Sequence, residues 1–117
     1  MRKASIGREN RLKSREYDLV FERGKRVKSD YFDVIALKGQ SGPRKLGIIV
    51  SKKVGKAVVR NRVKRRMREI LRQEAELFVD GIHIAVVMKP SAVSLRYGDL
   101  EDALIGTLRE AIDNDNT

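Results

Sequence analysis

The chain has no cysteine and a single histidine, His83. These two shortages exclude disulfide staples, thiolate metal sites, cysteine nucleophiles and the paired-histidine designs of most zinc and acid–base enzymes. Tryptophan is absent, proline occurs twice and aromatic residues make up 5% of the 117 positions, so any core must be largely aliphatic. No apolar run approaches the roughly 20 residues of a membrane-spanning helix. The opening Met1-Arg2-Lys3-Ala4-Ser5-Ile6-Gly7-Arg8 has no apolar stretch of the kind a secretion signal needs, so a cytoplasmic protein with no membrane partner is expected. Acid is scarce as well: 16 Asp and Glu stand against 26 Lys and Arg, a formal charge of +10. Such a surface repels itself unless a polyanion neutralises it, which makes nucleic acid the first partner to consider.

What is present is enough for one modest core, with 41% hydrophobic residues in a chain of ordinary domain length. Ser14 is placed to cap a short helix over residues 15–23, with Gly24 to stop it and Tyr17, Val20 and Phe21 on one face. Residues 31–37 and 46–50 are β-branched and aromatic, and the turn-like Lys38-Gly39-Gln40-Ser41-Gly42-Pro43-Arg44 between them predicts a hairpin. Residues 24–29 are a weak edge-strand candidate, because Lys25, Arg26 and Lys28 surround Val27. From Val58 the period becomes helical, with Val59, Val63, Met67, Ile70, Leu71, Leu77 and Phe78 in one stripe and Asp80-Gly81 as the stop. Residues 82–88 read as a strand buried on both faces. Asp99 then caps a last helix that buries Leu100, Ala103, Leu104, Thr107, Leu108, Ala111 and Ile112, with Gly106 inside it for close packing. The sum is an α+β fold: a single-domain sandwich over residues 1–117, with a small mixed sheet, a long basic helix and two further helices. Residues 1–13 read as a basic flexible N-terminus and 113–117 as a frayed tail.

Function concentrates in one segment. From Lys52 to Arg68 there is no acidic side chain, and Arg60/Lys64/Arg68 and Arg62/Arg66 repeat at helical i,i+4 spacing. Like charges so placed repel by a few tenths of a kcal/mol per pair, whereas backbone phosphates reverse that sign and release counterions. Asn61, Arg65 and Arg72 point away from the apolar stripe, while Arg60, Lys64 and Arg68 border it. Arginine offers planar bidentate recognition of phosphate, and asparagine both donates and accepts at a base edge or a 2′-hydroxyl. Gly55-Lys56 does not belong to a nucleotide-binding loop, because Val50 and Ala57 occupy the first glycine and hydroxyl positions of that motif. Gly55 reads instead as a turn that leaves the first amides of the helix and Lys56 near an anion.

Gly47-x-x-x-Ser51-Lys52-Lys53-x-Gly55-Lys56-Ala57-Val58-x-Arg60-Asn61-Arg62-x-Lys64-Arg65-x-x-Arg68-Glu69 resembles the signature of the bacterial ribonuclease P protein family. Asn10-Arg11-Leu12, Phe32, Lys89-Pro90 and Tyr97 extend the likeness, in order, over nearly the whole chain. The resemblance implies an α+β sandwich in which the long helix joins two parallel neighbouring strands through a left-handed crossover. It implies the accessory subunit of an endoribonuclease, whose partners are ribonuclease P RNA and precursor tRNA; no obligate protein partner is inferred. It further implies that the 5′ leader is removed by magnesium-dependent chemistry residing in the RNA, with Mg2+ bound mainly by RNA and substrate. By position, RNA binding falls to Lys53, Arg60, Asn61, Arg62, Lys64, Arg65 and Arg68, and the leader cleft to Tyr17, Phe21, Lys52, Lys56 and Lys89. Ile35 departs from relatives that carry an aromatic near that cleft.

Three ordinary readings stand beside these. Tyr17 and Phe21 at i,i+4 are as well suited to a core as to a cleft, His83 reads as a hydrogen-bonded core or edge residue, and Asp30 and Asp33 are ordinary surface carboxylates rather than metal ligands. No catalytic residue and no protein metal ligand is assigned. A structural RNA-binding protein of ribosomal type is the alternative, since its size and charge would be much the same.

Overall fold

In the computed structural model, which describes residues 10–113, β4 (His83–Met88) lies inside the sheet with five of its six residues buried. Its neighbours are β2 (Phe32–Leu37), antiparallel, and β3 (Lys45–Val50), parallel; β1 (Lys25–Lys28) completes the order β1-β2-β4-β3. The expected hairpin between residues 31–37 and 46–50 is therefore not formed. The reason is the composition of β4: a strand this apolar leaves no polar face for an edge position, so it displaces the pairing of β2 with β3 and enters between them. The cationic β1 takes the outer edge beside β2, where exposed charge is tolerated and deters further pairing.

Because β3 and β4 run parallel, the chain must cross over between them, and α2 (Ala57–Gln73) makes the crossing, as the resemblance implies. Val63, Met67, Ile70 and Leu71 are its buried stripe. It ends at Gln73 rather than at Asp80-Gly81: Glu74 leaves helical geometry, and a single 3-10 turn over Ala75–Leu77 returns Phe78 to the core. Apolar spacing continued across the break and so concealed it. α3 (Tyr97–Asp113) packs beside α2 on the same face, burying Leu100, Leu104, Thr107, Leu108 and Ala111 over Phe32, Val34, Ile84 and Val86. It starts at Tyr97, so Asp99 sits in its first turn instead of capping it. Gly106 is exposed, and a Cβ there would meet nothing within 4 Å, which overturns close packing as its reason.

The opposite face is covered only in part, by α1 (Ser14–Arg23), whose Val20 is fully buried with Leu12, Ile35 and Ala85. Lys13, not Ser14, is the residue before its first turn; the Lys13 N–H donates to Glu16 Oε1 at 2.7 Å. Within the stretch expected to be flexible, Asn10 and Leu12 are buried: the Asn10 side-chain amide donates to the Arg44 carbonyl at 2.8 Å and the Leu12 N–H to that of Leu46 at 3.1 Å. The remaining N-terminal residues 1–9, and 114–117 of the expected tail, lie outside the described residues. Beneath the start of α1, Glu16 Oε2 accepts from Lys45 Nζ at 2.6 Å beside His83, which pairs with Lys45 across the parallel ladder. His83 is buried, and its Nε2 has no hydrogen-bond partner among the described residues, so the expected bonded histidine is absent at that atom.

Two predictions follow from this packing. Gly106→Ala removes a flexible residue from an open helix interior, so thermal unfolding should show a stabilisation of about 1 kcal/mol; a loss of stability would mean that an alanine methyl group is not accommodated there. The second concerns pH. Burial lowers the His83 pKa from the usual 6.5, against the opposing charge of Glu16 and with help from Lys45. A depressed histidine favours the neutral native state, so its stabilisation is complete above about pH 6.5 and declines as pH falls, because the unfolded chain then takes up the proton first. Burial alone would raise Glu16, but its bonds to Lys45 and to the Lys13 N–H and the Lys45 charge bring it below the usual 4.5, so its contribution is lost further into acid. Urea unfolding from about pH 8 to about pH 3 should show both limbs in the native sequence and only the lower one in His83→Gln; identical profiles would remove His83 from this account.

Candidate nucleic-acid interface

The turn that launches α2 requires Gly55. Its φ of 154° with ψ of −170° lies where L side chains rarely go, and a Cβ would stand 3.2 Å from two carbon atoms of the Val59 side chain. The 3-10 turn over Lys52–Val54 buries only Val54 and leaves Lys52 and Lys53 exposed. Lys56 then occupies the position before the first helical residue, extended and exposed, with no side chain capping the first-turn amides. Those amides and three lysines thus stand together beyond the C-terminal end of β3, an arrangement suited to an anion.

Along α2, Asn61, Arg62, Arg65, Arg66 and Arg68 are exposed, while Arg60 and Lys64 lie half-buried at the margins of the apolar stripe. No cation from Lys52 to Arg68 forms an ion pair among the described residues, whereas Arg26, Lys45, Lys89 and Arg109 all do. The unpaired cations therefore form a continuous face with no internal counter-charge. Val58, 77% exposed in the first turn, adds an apolar contact beside Arg62 and Asn61.

The second feature is a cleft on the half-covered side of the sheet. Register places Lys28, Asp33, Val87 and Ile49 in one row across the four strands, beyond the row Arg26, Ile35, Ala85 and Gly47 that lies under α1. Asp33, Val87 and Ile49 are half-exposed and form the cleft floor. Tyr17 and Phe21 form its α1 wall, their rings stacked with centroids 6.3 Å apart and planes at 18°. Phe21 is 40% exposed, so of the two readings of this residue the core one is wrong. Tyr17 is half-buried because its ring lies on Gly47, where a Cβ would fall 2.0 Å from the Tyr17 oxygen. That burial raises the Tyr17 pKa above the usual 10.0, with the charge of Arg68 opposing.

Not every expected cleft residue is available. Lys89 Nζ is held by the Ser29 carbonyl and by Asp33 Oδ1 at 3.1 Å, so it serves the floor of the cleft first. Ile35, expected near the cleft, is buried beneath α1. Asp33 is flanked by Arg26 at 3.3 Å as well as by Lys89, so two protein cations already answer its charge. Arg26, which also stands 5.9 Å from the Phe21 ring centroid, was not identified from sequence. Nothing in a four-residue cationic strand marks which lysine or arginine turns under an aromatic ring. The glycine inside β3 did carry a signal, since glycine in a strand interior often marks the close approach of another group.

A small α+β domain with an unpaired basic helix beside an aromatic-walled cleft is the architecture of an RNA-binding protein. The ribonuclease P family profile matches residues 6–112. The ribonuclease P protein component of Finegoldia magna is 38% identical over 98 residues, covering 84% of this chain and 86% of that protein. The ribonuclease P protein of Thermotoga maritima superposes with a TM-score of 0.76 at 30% identity, covering 86% of this chain and 96% of that one. The Staphylococcus aureus protein gives 0.80 at 27%, covering 87% and 94%. The chain belongs to the ribonuclease P protein family, as a protein component of the ribonucleoprotein that processes tRNA.

If the α2 face meets phosphates, Arg65→Ala should weaken binding to ribonuclease P RNA and lower the slope of log affinity against log salt by about one counterion. Its side chain is exposed, so the unfolding midpoint should not move. Met67→Asp is the contrast, because it puts a charge in a fully buried position and should unfold the domain. Unaltered affinity and slope in Arg65→Ala would mean that the face is only solvated.

Proposed function

We propose that the chain binds ribonuclease P RNA through the exposed face of α2 and receives the single-stranded 5′ leader of precursor tRNA in the cleft between α1 and the sheet. The observation that carries this reading is the uninterrupted run of unpaired cations from Lys52 to Arg68, set beside a cleft with an exposed aromatic wall. Lys53, Arg60, Asn61, Arg62, Lys64, Arg65 and Arg68 contact the catalytic RNA. Lys52 and Lys56, at the end of the cleft, meet leader phosphates, and the Tyr17 and Phe21 rings receive unpaired bases. Stacking tolerates sequence, which suits a protein serving many precursors. The protein positions substrate, and magnesium ions held mainly by the RNA and the substrate supply the hydrolytic chemistry. Asp33, already answered by Arg26 and Lys89, fits no metal role of its own, and no catalytic step is assigned to a side chain. A cytoplasmic location, where precursor tRNA would be met, is part of the same proposal.

The test is reconstitution at low magnesium with ribonuclease P RNA. The protein should stimulate cleavage at the mature 5′ end, and Phe21→Ala should weaken binding of precursor by about 1–3 kcal/mol while leaving mature tRNA unaffected. Because Phe21 is exposed, its unfolding midpoint should change little. An unaltered precursor-to-product preference would place the leader elsewhere, and no stimulation by the native protein would overturn the reading as a whole.

A further inference from the structure

A recess of about 340 Å³ opens at the outer edge of β3, between the segment around Arg11 and the C-terminal half of α2. It is within the size range of small-molecule sites, about 300–1,000 Å³. Its lining is mixed and more polar than apolar: Tyr17, Ile48 and Leu71 supply ring and aliphatic surface, and Arg11, Arg68 and Arg72 supply charge. Arg72 shares its charge with Glu69 at 2.7 Å, while Arg11 and Arg68 have no ion pair among the described residues.

The wall formed by β3 carries polar groups as well. Leu46 gives its carbonyl to the Leu12 N–H on the outer side of the strand. Alternate residues of a strand direct their backbone polar groups to the same side, so Ile48 turns its N–H and C=O toward the recess. Beyond the bridge at Leu46, no strand pairs with this edge among the described residues. One wall thus presents a donor and an acceptor a few ångströms apart, another a tyrosine ring with a protonated hydroxyl, and the arginines three guanidinium groups. A free phosphate would use only the arginines. A peptide adding to the edge would need a longer run of unpaired strand than the four residues from Gly47 to Val50, and would leave the arginines without counter-charge. A heterocycle with an attached phosphate uses all three features, as unstacked RNA bases do in protein pockets.

We propose that this recess receives one unpaired ribonucleotide, with its base against Tyr17 and Ile48, its base edge on the Ile48 backbone and its phosphate on Arg11, Arg68 and Arg72. The inference rests on the RNA-binding reading of α2, whose Arg68 belongs to both surfaces. It adds Arg11, Arg72 and the edge of β3 to the interface, at a place that shares Tyr17 with the leader cleft but is lined by none of Phe21, Asp33, Val87 and Ile49.

Ultraviolet cross-linking of the full chain to ribonuclease P RNA, followed by nuclease and protease digestion and mass spectrometry, tests it directly. The expected result is a nucleotide adduct on Tyr17 or on the peptide containing Ile48, besides adducts near Asn61. An adduct in the protein–RNA complex alone identifies the subunit RNA as the source; one that forms only when precursor is added identifies the substrate. Arg11→Ala should reduce the adduct at the recess and leave those near Asn61 in place, because the Arg11 side chain is exposed and its segment is held to β3 through the backbone of Leu12. Adducts near Asn61 with none at the recess in either complex would overturn the proposal while sparing the RNA-binding reading; the absence of both would overturn the two together.

Discussion

Burying β4 on both faces is the constraint from which the rest of the molecule follows. An apolar strand of this kind needs a neighbour on each side and a layer above and below, and each buried aliphatic side chain contributes about 1.5–3 kcal/mol once those layers are in place. One layer is complete, built by α2 and α3 over Phe32, Val34, Ile84 and Val86. The other is not, because α1 is ten residues long and covers only the Ile35–Ala85 part of the sheet. The uncovered remainder, with Asp33, Val87 and Ile49 half-exposed, is the cleft. The surface proposed for the leader is thus the part of the sheet that the fold leaves open, and it lies next to the strand that most needs cover.

The same constraint places the charge. With β4 central and β3 parallel to it at the edge, the chain leaving β3 must begin its crossover at the C-terminal end of the strands. That is where Lys52, Lys53 and Lys56 occur, and α2 carries the cationic run onward along its outer side. Elsewhere several cations are paired: Lys45 with Glu16, Arg26 and Lys89 with Asp33, Arg109 with Glu74. Along α2 none is, among the described residues, up to the Glu69–Arg72 pair. Unrelieved repulsion within a helix costs stability in the free protein, and contact with a polyanion turns that cost into binding free energy whose strength depends on salt. A protein built this way is most at ease when bound.

Tyr17 connects the two surfaces. Its ring needs the missing side chain of Gly47 in order to lie on the sheet, its stacked partner Phe21 faces the cleft, and Arg68 of α2 is close enough to oppose its raised pKa. One residue of α1 thus stacks on Phe21, lies on the edge strand β3 and feels the charge of the basic helix. A substitution there should not be read as a change in any one of them alone.

Much of this was legible beforehand because it depends on local pattern. The stripe of Val63, Met67 and Ile70 specifies a helix whatever it packs on, the run from Ile84 to Met88 specifies a buried strand, and an acid-free segment specifies a cationic face wherever it lies. The ordered motif around Gly55 and Asn61 likewise identified the family from residues alone. Pairing was different. Whether residues 31–37 join 46–50 or admit the strand His83–Met88 between them depends on which arrangement buries most apolar surface, and no local window contains that comparison. The end of α2 at Gln73, the openness around Gly106, the Arg26–Asp33–Lys89 cluster and the recess beside Arg11 are likewise relations between segments distant in sequence. The sequence by itself determined the elements and the sign of the charge, because periodicity and composition act within a turn or a strand. Only the tertiary structure decided which strand is central, which aromatic is exposed and which cations remain unpaired, because those are settled by competition for burial across the whole chain.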